Sequence, residues 1–254
     1  MSEILRPGAA DCADEDQASG LRRLFERIPA HWTLVLQTPL RAGDTAEALA
    51  HRARLLALRR GPTLVVDASR TQVAAALGLR LRYDLEHVLA GDCEIGDACV
   101  GAGGSLWMLP AARALDIAAG DDQHAKRVAS ALESLAVGMR EVILVLPASR
   151  LAWARHCQAL ARTREALIPV YGSADTGTAV LTAIRQAVSD LEIGTFHLLF
   201  LGMGTATAGR LLTAMAAIAR RHFGATLLAA RPVADETPAG LGARVAHRPV
   251  ETVL

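Results

Sequence analysis

The stretch Thr63-Leu64-Val65-Val66-Asp67 is an apolar run of strand length that ends in a carboxylate. A continuous apolar run, as opposed to an alternating one, is typical of a strand that is covered on both faces. Similar runs occur at residues 33–37, 106–110, 142–146, 167–171 and 196–201. Stretches of helical periodicity lie among them, at 45–58, 123–137, 151–162, 176–190 and 207–222. This alternation predicts one α/β domain over residues 30–254, doubly wound around a mostly parallel sheet with helices on both faces.

The composition of the chain argues against a nucleic-acid-binding protein and against a metal site. Hydrophobic residues make up 52% of the chain, enough for a large buried core, and the formal net charge is only +1. A balanced charge and an aromatic share of 4% argue against a nucleic-acid partner, which would need a basic or base-stacking surface. The cysteines form no CxxC pair, and no histidine pair has metal-ligand spacing with a carboxylate. We therefore expect idle thiols in a reducing compartment and no metal site; the cysteines are Cys12, Cys93, Cys99 and Cys157.

The two ends of the chain carry no sign of a membrane protein. The start has acids where a signal peptide needs a basic and then an apolar run, and no apolar run is long enough to span a bilayer. The last stretch is broken by prolines and glycines, so we expect no stable membrane anchor there. These features predict a cytoplasmic protein. Residues 1–15 are polar, small and acidic, which predicts a disordered tail.

A short helix is predicted over residues 16–28. Asp16 can cap its first turn, and Arg27 lies near its C-terminal end, where positive charge suits the helix dipole. Gly20 in its interior costs about 1 kcal/mol relative to alanine, so we expect the helix to become ordered only when it is docked. Its apolar stripe consists of Ala18, Leu21, Leu24, Phe25 and Ile28.

The sequence of this helix resembles a known regulatory motif. Asp16-Gln17-Ala18, followed by Gly20-Leu21-Arg22, is similar to the N-terminal DQAxxLR motif of the FlhG (FleN) family, relatives of the cell-division ATPase MinD. The resemblance implies an activator helix that docks on FlhF, a GTPase of the signal-recognition-particle class, and stimulates its GTP hydrolysis. Gln17 would then act in trans, since an amide can orient the attacking water. The partner-binding residues implied are Asp16, Gln17, Ala18, Leu21, Arg22, Arg23, Leu24 and Phe25.

Further along the chain, other segments resemble the same family in the same order. Residues 63–68 with 76–79 are similar to its VLLVDADLG…LLGL region, and residues 83–91 to its Y-x-L-x-x-V-L-x-G stretch. Residues 106–111 resemble its L-x-V-L-P-A strand, and residues 196–225 its late strand and helix. The similarity runs from residue 16 to about residue 235. It implies a MinD/ParA-like P-loop NTPase fold.

The phosphate-binding loop is where the chain departs from this family. A P-loop needs glycines, so that backbone N–H groups can wrap phosphate, and a lysine for the β- and γ-oxygens. When Gly43 and Thr45 are aligned with the family's final G-K-[ST], Asp44 takes the place of the lysine. A carboxylate about 4 Å from a phosphate charge is repelled by about 4 kcal/mol at an effective dielectric constant near 20. We expect ATP binding to be lost and no cofactor to be used, although the family would use ATP and Mg²⁺.

Two other elements of the family's nucleotide site are also changed. The strand at 142–146 runs into Pro147, where the family has an aspartate that organises magnesium and water, and the strand before Gly202 lacks the adenine-reading asparagine. Asp67 is retained at the position of the family's switch aspartate. The alternative, that it is simply a polar residue closing a strand, is favoured in the absence of a P-loop. We expect a degenerate nucleotide site that consists of Gly43, Asp44, Thr45 and Asp67.

The leading hypothesis is a regulator of flagellar placement or number that binds FlhF and has lost its own ATPase activity, so that it is not itself an enzyme. Recruitment to the cell pole would then come through the partner. One alternative is an active ATPase of the MinD/ParA type with an unconventional loop. Another is a non-catalytic scaffold that holds a flagellar transcription activator or a switch-complex protein.

Overall fold

The computed structural model describes residues 29–38, 42–172 and 176–230; the side chains of residues 42–44 fall outside that description. Its centre is a sheet. The strands are β1 (His31–Gln37), β2 (Thr63–Asp67), β3 (Val100–Gly101), β4 (Leu106–Pro110), β5 (Glu141–Pro147), β6 (Glu165–Tyr171), β7 (Thr195–Leu201) and β8 (Thr226–Ala229). Across the part of the chain described, the strand order is β3-β4-β2-β5-β1-β6-β7-β8. Neighbouring strands pair in parallel except β3 and β4, which are antiparallel.

Helices cover both faces of the sheet. They are α1 (Ala42–Arg60), α2 (Val73–Ala76), α3 (Leu85–Ala90), α4 (Ile95–Ala98), α5 (Ala112–Ala118), α6 (Asp122–Leu135), α7 (Gln158–Ala161), α8 (Thr176–Leu191) and α9 (Thr205–Phe223). The buried side of α1 packs on one face, and α6, α8 and α9 pack on the other. The doubly wound, mostly parallel α/β architecture predicted from the sequence is confirmed.

The central strands show why their sequences are apolar throughout. Leu34 and Leu36 of β1 enter the core on the side of α6, α8 and α9, whereas Val35 packs against α1. All three side chains are fully buried. Because successive side chains point to opposite faces and both faces are covered, no position along the strand needs to be polar.

The predicted helix at 151–162 is wrong. The chain instead forms two 3₁₀ turns, Ala148–Arg150 and Ala152–His156, followed by the single turn of α7. Trp153 is also buried, but the four residues of this segment with no exposed surface recur every three positions, a period that suits a 3₁₀ helix, in which side chains at i and i+3 are eclipsed. They are Leu151, Ala154, Cys157 and Leu160. The short helices α2 to α5 and the edge strands β3 and β8 were also not anticipated.

Among the helices described, none has the length and apolar character needed to cross a bilayer. Cys93, Cys99 and Cys157 are free thiols. Burial raises the pKa of Cys157 to about 12, so this thiol is protonated at neutral pH and unreactive.

Candidate functional site

The carboxyl ends of the parallel strands meet at one edge of the sheet, which is the edge where open α/β sheets bind their ligands. The chain leaves β1 at Gln37 and enters α1 at Ala42. Gly43, Asp44 and Thr45 therefore occupy the first turn of α1, at the end of a helix where backbone N–H groups point outward. In P-loop folds, phosphate is bound at the turn between a strand and the helix that follows it. The loop residues 39–41 lie outside the described part of the chain.

The Thr45 hydroxyl is engaged by another part of the protein. Thr45 is 1% exposed, and its hydroxyl is hydrogen-bonded to the hydroxyl of Tyr171 at the end of β6. Tyr171 is itself buried, and its backbone carbonyl accepts a 2.7 Å hydrogen bond from the Thr176 hydroxyl at the start of α8. In a P-loop the equivalent hydroxyl is a ligand of magnesium. Here a phenol from a neighbouring strand lies against it.

Sequence reasoning missed Tyr171. The residue is 126 positions from Thr45, at the end of an apolar strand, and nothing in its own neighbourhood marks it as part of a site. Only the order of the strands, which places β6 directly beside β1, brings the two hydroxyls together.

Asp67 is tied to the loop that follows β2. Its Oδ1 accepts hydrogen bonds from the backbone N–H and the hydroxyl of Ser69, both at 2.9 Å, and its Oδ2 accepts from the Thr71 hydroxyl at 3.0 Å. The same loop holds Arg70 and Gln72 at positive φ, a conformation that costs non-glycine residues about 1 kcal/mol each. Asp67 as a whole is 6% exposed. This geometry is that of a structural residue that stabilises a strained turn.

A second carboxylate at this edge caps two helices. Asp84 accepts from the backbone N–H of Glu86 at 3.0 Å, in the first turn of α3. It also accepts from the N–H groups of Arg113 and Ala114, at 3.2 and 3.3 Å, in the first turn of α5. The stretch 83–91, picked out above for its resemblance, thus carries a residue that joins the helices following β2 and β4. Its role is structural.

The end of β5 carries no acid. Leu146 is followed by Pro147 and then by a 3₁₀ turn, and the Val145 carbonyl accepts a 2.8 Å hydrogen bond from the Ala68 N–H. Within residues 29–38, 42–172 and 176–230, no cluster of three or more His, Cys, Asp or Glu side chains could hold a metal ion. The side-chain oxygen of Gln37 is buried without a hydrogen-bond partner among the described residues.

The opposite, amino edge of the sheet has a different character. A groove of about 1090 Å³ opens there, between the first residues of β1 and β6, the end of α1, the turn after α6, and β8. Glu141, the first residue of β5, is 2% exposed and lies near this edge between Arg60 Nη1 at 2.6 Å and His31 Nδ1 at 2.9 Å. Burial raises the pKa of this carboxyl, but hydrogen bonds from His31 and Arg60 outweigh it and hold the pKa below its usual value.

The residues predicted to bind a partner lie outside the described part of the chain. These are Asp16, Gln17, Ala18, Leu21, Arg22, Arg23, Leu24 and Phe25. The disordered tail at 1–15 and the helix at 16–28 therefore stay predictions.

No protein-family model and no curated protein matches the sequence. Solved structures do match. MinD of Aquifex aeolicus has a TM-score of 0.55 at 20% identity, over 78% of this chain and 80% of that one. A variant of Cyanothece McdA in complex with ATP has a TM-score of 0.53 at 17% identity, over 76% and 81%. A plasmid partition protein from Borrelia burgdorferi has a TM-score of 0.56 at 11% identity, over 73% and 86%. At these identities the likeness is one of fold.

Proposed function

We propose that this chain, which has the MinD/ParA-like P-loop NTPase fold, is a FlhG-like regulator that acts on a partner GTPase and does not hydrolyse ATP itself. The partner is a GTPase of the FlhF type, and the process is the control of flagellar placement or number. The observation that carries the proposal is the position of Asp44 in the first turn of α1, where this fold would meet the phosphates of a nucleotide.

Charge argues against a nucleotide at this turn. A lysine ammonium would attract the β- and γ-phosphates, whereas a carboxylate at the same position repels them. Replacing the lysine by Asp44 therefore weakens nucleotide binding twice, because an attraction to the phosphates is lost and a repulsion is added. The N-terminal dipole of α1 favours an anion, but its contribution of about 0.3–1 kcal/mol is smaller than the repulsion of about 4 kcal/mol estimated above.

The groups that would hold magnesium, the Thr45 hydroxyl and an acid at the end of β5, are engaged or absent in the described structure. A metal at Thr45 would have to share the hydroxyl with Tyr171, and β5 supplies no acid at its end. Asp67 is held by Ser69 and Thr71. The residues present therefore do not fit a magnesium nucleotide, and we derive no catalytic step from one.

The activating role rests on the resemblance of residues 16–22 to the DQAxxLR motif. In this proposal Gln17 enters the active site of the partner and orients the attacking water, and Asp16 caps the helix. Arg22 and Arg23 pair with acidic groups of the partner. The apolar stripe of Leu21, Leu24 and Phe25 packs against it and supplies most of the binding free energy.

GTP turnover tests the activating role. The full chain is added to an FlhF-type GTPase, and the rate of GTP hydrolysis is compared for the wild type, Gln17→Ala and a control, Ser19→Ala. We expect the wild type and Ser19→Ala to stimulate turnover equally and Gln17→Ala to lose most of the stimulation. Equal stimulation by all three proteins, or none by the wild type, would refute the proposed role of Gln17.

Calorimetric titration with Mg-ATP tests the loss of the nucleotide site. We expect no heat of binding for the wild-type chain, because Asp44 repels the phosphates and Tyr171 engages Thr45. The double variant Asp44→Lys/Tyr171→Phe removes both obstacles and is the matched comparison. Saturable binding of Mg-ATP by the wild type would instead support the alternative of an active ATPase.

A further inference from the structure

The groove at the amino edge lies where both ends of the described chain emerge. Its volume is about 1090 Å³, and its lining includes Pro29 and Ala30, which precede β1, and Ala229 and Ala230 at the end of β8. It is separate from the carboxyl edge, since its lining contains the first residues of β1 and β6, His31 and Glu165.

Two of the large exposed hydrophobic side chains of the protein lie in this groove. Val137, in the turn after α6, is 59% exposed, and Leu228, on the edge strand β8, is 44% exposed. Leu167 and Trp32 extend the apolar surface inward. Exposed apolar side chains gathered in one concave surface indicate a docking site.

The charged residues of the groove are mostly basic. The arginines in its lining are Arg52, Arg60, Arg162 and Arg164, against the acids Glu133 and Glu165. Arg60 is paired with Glu141, and Glu165 with His197 at 3.0 Å. Arg164 Nη1 lies 3.5 Å from Oε2 of the exposed Glu192. An ion pair at the surface contributes little to stability. The rim around Arg162 and Arg164 therefore suits an acidic segment.

We propose that this groove receives the chain's own N-terminal segment, residues 11–28, with the predicted activator helix lying along it. Pro29 directly follows this segment and lines the groove, so the segment reaches the described structure at the docking surface itself. A helix of residues 16–28 would be about 20 Å long, at 1.5 Å per residue, and needs no linker to lie there.

Both the apolar and the charged features of the segment match the groove. The stripe of Ala18, Leu21, Leu24, Phe25 and Ile28 can cover Val137 and Leu228, and such burial contributes roughly 25 cal/mol per Å² of apolar surface. The acidic run before the helix, which contains Asp11, Asp14, Glu15 and Asp16, can meet the arginine rim. Attraction between exposed charges is weak, so the stripe provides the affinity and the charges set the direction.

The C-terminal segment also begins at this groove but matches it less well. Residues 231–254 contain three basic arginines balanced by three acids, and so carry no net charge to complement the arginine rim. Pro232, Pro238 and Pro249 interrupt any helix that could present a continuous apolar stripe. The N-terminal segment is therefore the better occupant.

Docking in cis would regulate the proposed function, on which this consequence rests. The partner GTPase and the groove would compete for the same apolar face of the helix, formed by Leu21, Leu24 and Phe25. The helix would activate the partner only when it leaves the groove, so the apparent affinity for the partner equals the intrinsic affinity multiplied by the fraction of chains whose helix is undocked.

Hydrogen–deuterium exchange of the full chain tests the docking. We expect amides of residues 18–28 to exchange about tenfold more slowly in the wild type than in Leu228→Asp, because a charge in the groove expels the apolar stripe. Val137→Asp, in a turn, is a second variant with the same expected effect. Leu58→Asp is the control, since Leu58 is 82% exposed on α1 and outside the groove, and it should exchange like the wild type.

Several results would overturn the proposal. One is exchange of residues 18–28 that is equally fast in the wild type and both groove variants. Another is protection that appears in residues 231–254 instead and is lost in Leu228→Asp, which would make the C-terminal segment the occupant. Protection that increases with protein concentration would assign the groove to a second copy. Because exchange needs no partner, the docking can hold even if the chain stimulates no GTPase, a result that would refute only the proposed function.

Discussion

The two edges of the sheet treat their polar side chains in different ways. At the carboxyl edge, Thr45 is hydrogen-bonded to Tyr171, and Asp67 accepts hydrogen bonds from Ser69 and Thr71. At the amino edge, a wide groove leaves Val137 and Leu228 exposed beside a basic rim. The side chains of Thr45 and Asp67, which the sequence assigns to the degenerate nucleotide site, are thus engaged by other residues of the chain. In the function proposed above the carboxyl edge holds no nucleotide, and the groove that we propose as a docking site lies at the opposite edge.

Each edge also contains a carboxylate that stabilises the fold, half-buried Asp84 at the carboxyl edge and buried Glu141 at the amino edge. Asp84 at the carboxyl edge accepts hydrogen bonds from the backbone N–H groups of two helices, whereas Glu141 at the amino edge is paired with Arg60 and hydrogen-bonded to His31. The first is a capping residue and the second belongs to an ion cluster. Their removal should therefore differ in size and in pH dependence.

The largest effect is expected for Glu141→Ala. The substitution leaves Arg60, whose side chain is 13% exposed, without this carboxylate, and breaking a buried ion pair costs about 3–5 kcal/mol. The free energy of unfolding, measured by urea denaturation, should fall by about that amount. Asp122→Ala is the control, because Asp122 pairs with Arg155, His156 and Lys126 at the surface, where ion pairs contribute little, and it should cause a much smaller loss. Equal losses from the two variants would contradict a buried role for Glu141.

The free energy of unfolding should also depend on pH through the carboxyl group of Glu141. Its pKa is lower in the folded protein than its ordinary value of 4.5, so its contribution is present above about pH 4.5 and is lost as the pH falls through the folded-state pKa. Glu141→Gln has no proton to take up and should lose less stability than the wild type over that range. Urea denaturation at a series of acidic pH values measures this. Parallel pH profiles for the two proteins would show that the carboxylate is not stabilised by the fold.

An intermediate effect is expected for Asp84→Ala at the other edge. The substitution removes the cap of α3 and the acceptor for the first turn of α5, and each cap is worth about 1 kcal/mol, so the loss should be about 2 kcal/mol. Asp121→Ala removes only the cap of α6 and should cost about half as much. Thermal and urea unfolding measure both. A smaller loss for Asp84→Ala than for Asp121→Ala would mean that the two helices do not share this carboxylate.

The smallest effect is expected for the pair that closes the carboxyl edge. In a double-mutant cycle of Tyr171→Phe and Thr45→Val, the coupling energy should be about 1 kcal/mol, the usual net value of a buried hydrogen bond. The two single variants and the double variant are compared by urea denaturation. A coupling energy near zero would mean that Tyr171 does not engage Thr45 in solution, and would reopen the carboxyl edge as a ligand site.

Much of the fold could be predicted because its signals are local. The apolar run at 63–67 specified β2 to the residue, and the runs at 142–146 and 196–201 located β5 and β7 within one residue at each end. The prediction of a helix at 151–162 was wrong because so few residues do not distinguish the period of a 3₁₀ helix, 3.0 residues, from that of an α-helix, 3.6 residues. The short helices between β2 and β5 have too few residues to show any period.

The candidate site was only partly accessible from the sequence. The sequence placed Gly43 and Asp44 in the loop and Thr45 at the start of the helix predicted at 45–58. In the structure the helix begins at Ala42, so all three residues lie in the first turn of α1. The loss of ATP binding stays a prediction, as does the role of Gln17, which lies outside the described residues. Neither the groove nor the cluster around Glu141 left a recognisable pattern, because the residues that form them are scattered along the chain.

The sequence by itself determined the alternation of strands and helices, the apolar character of the central strands and the presence of Asp44 where the family resemblance predicts a lysine. These depend on the identity and spacing of neighbouring residues. Only the tertiary structure decided that Tyr171 meets Thr45, that Glu141 lies between Arg60 and His31, and that a groove opens beside β8. Such contacts join residues up to 126 positions apart, and they depend on the order in which the strands pair, which no local pattern encodes.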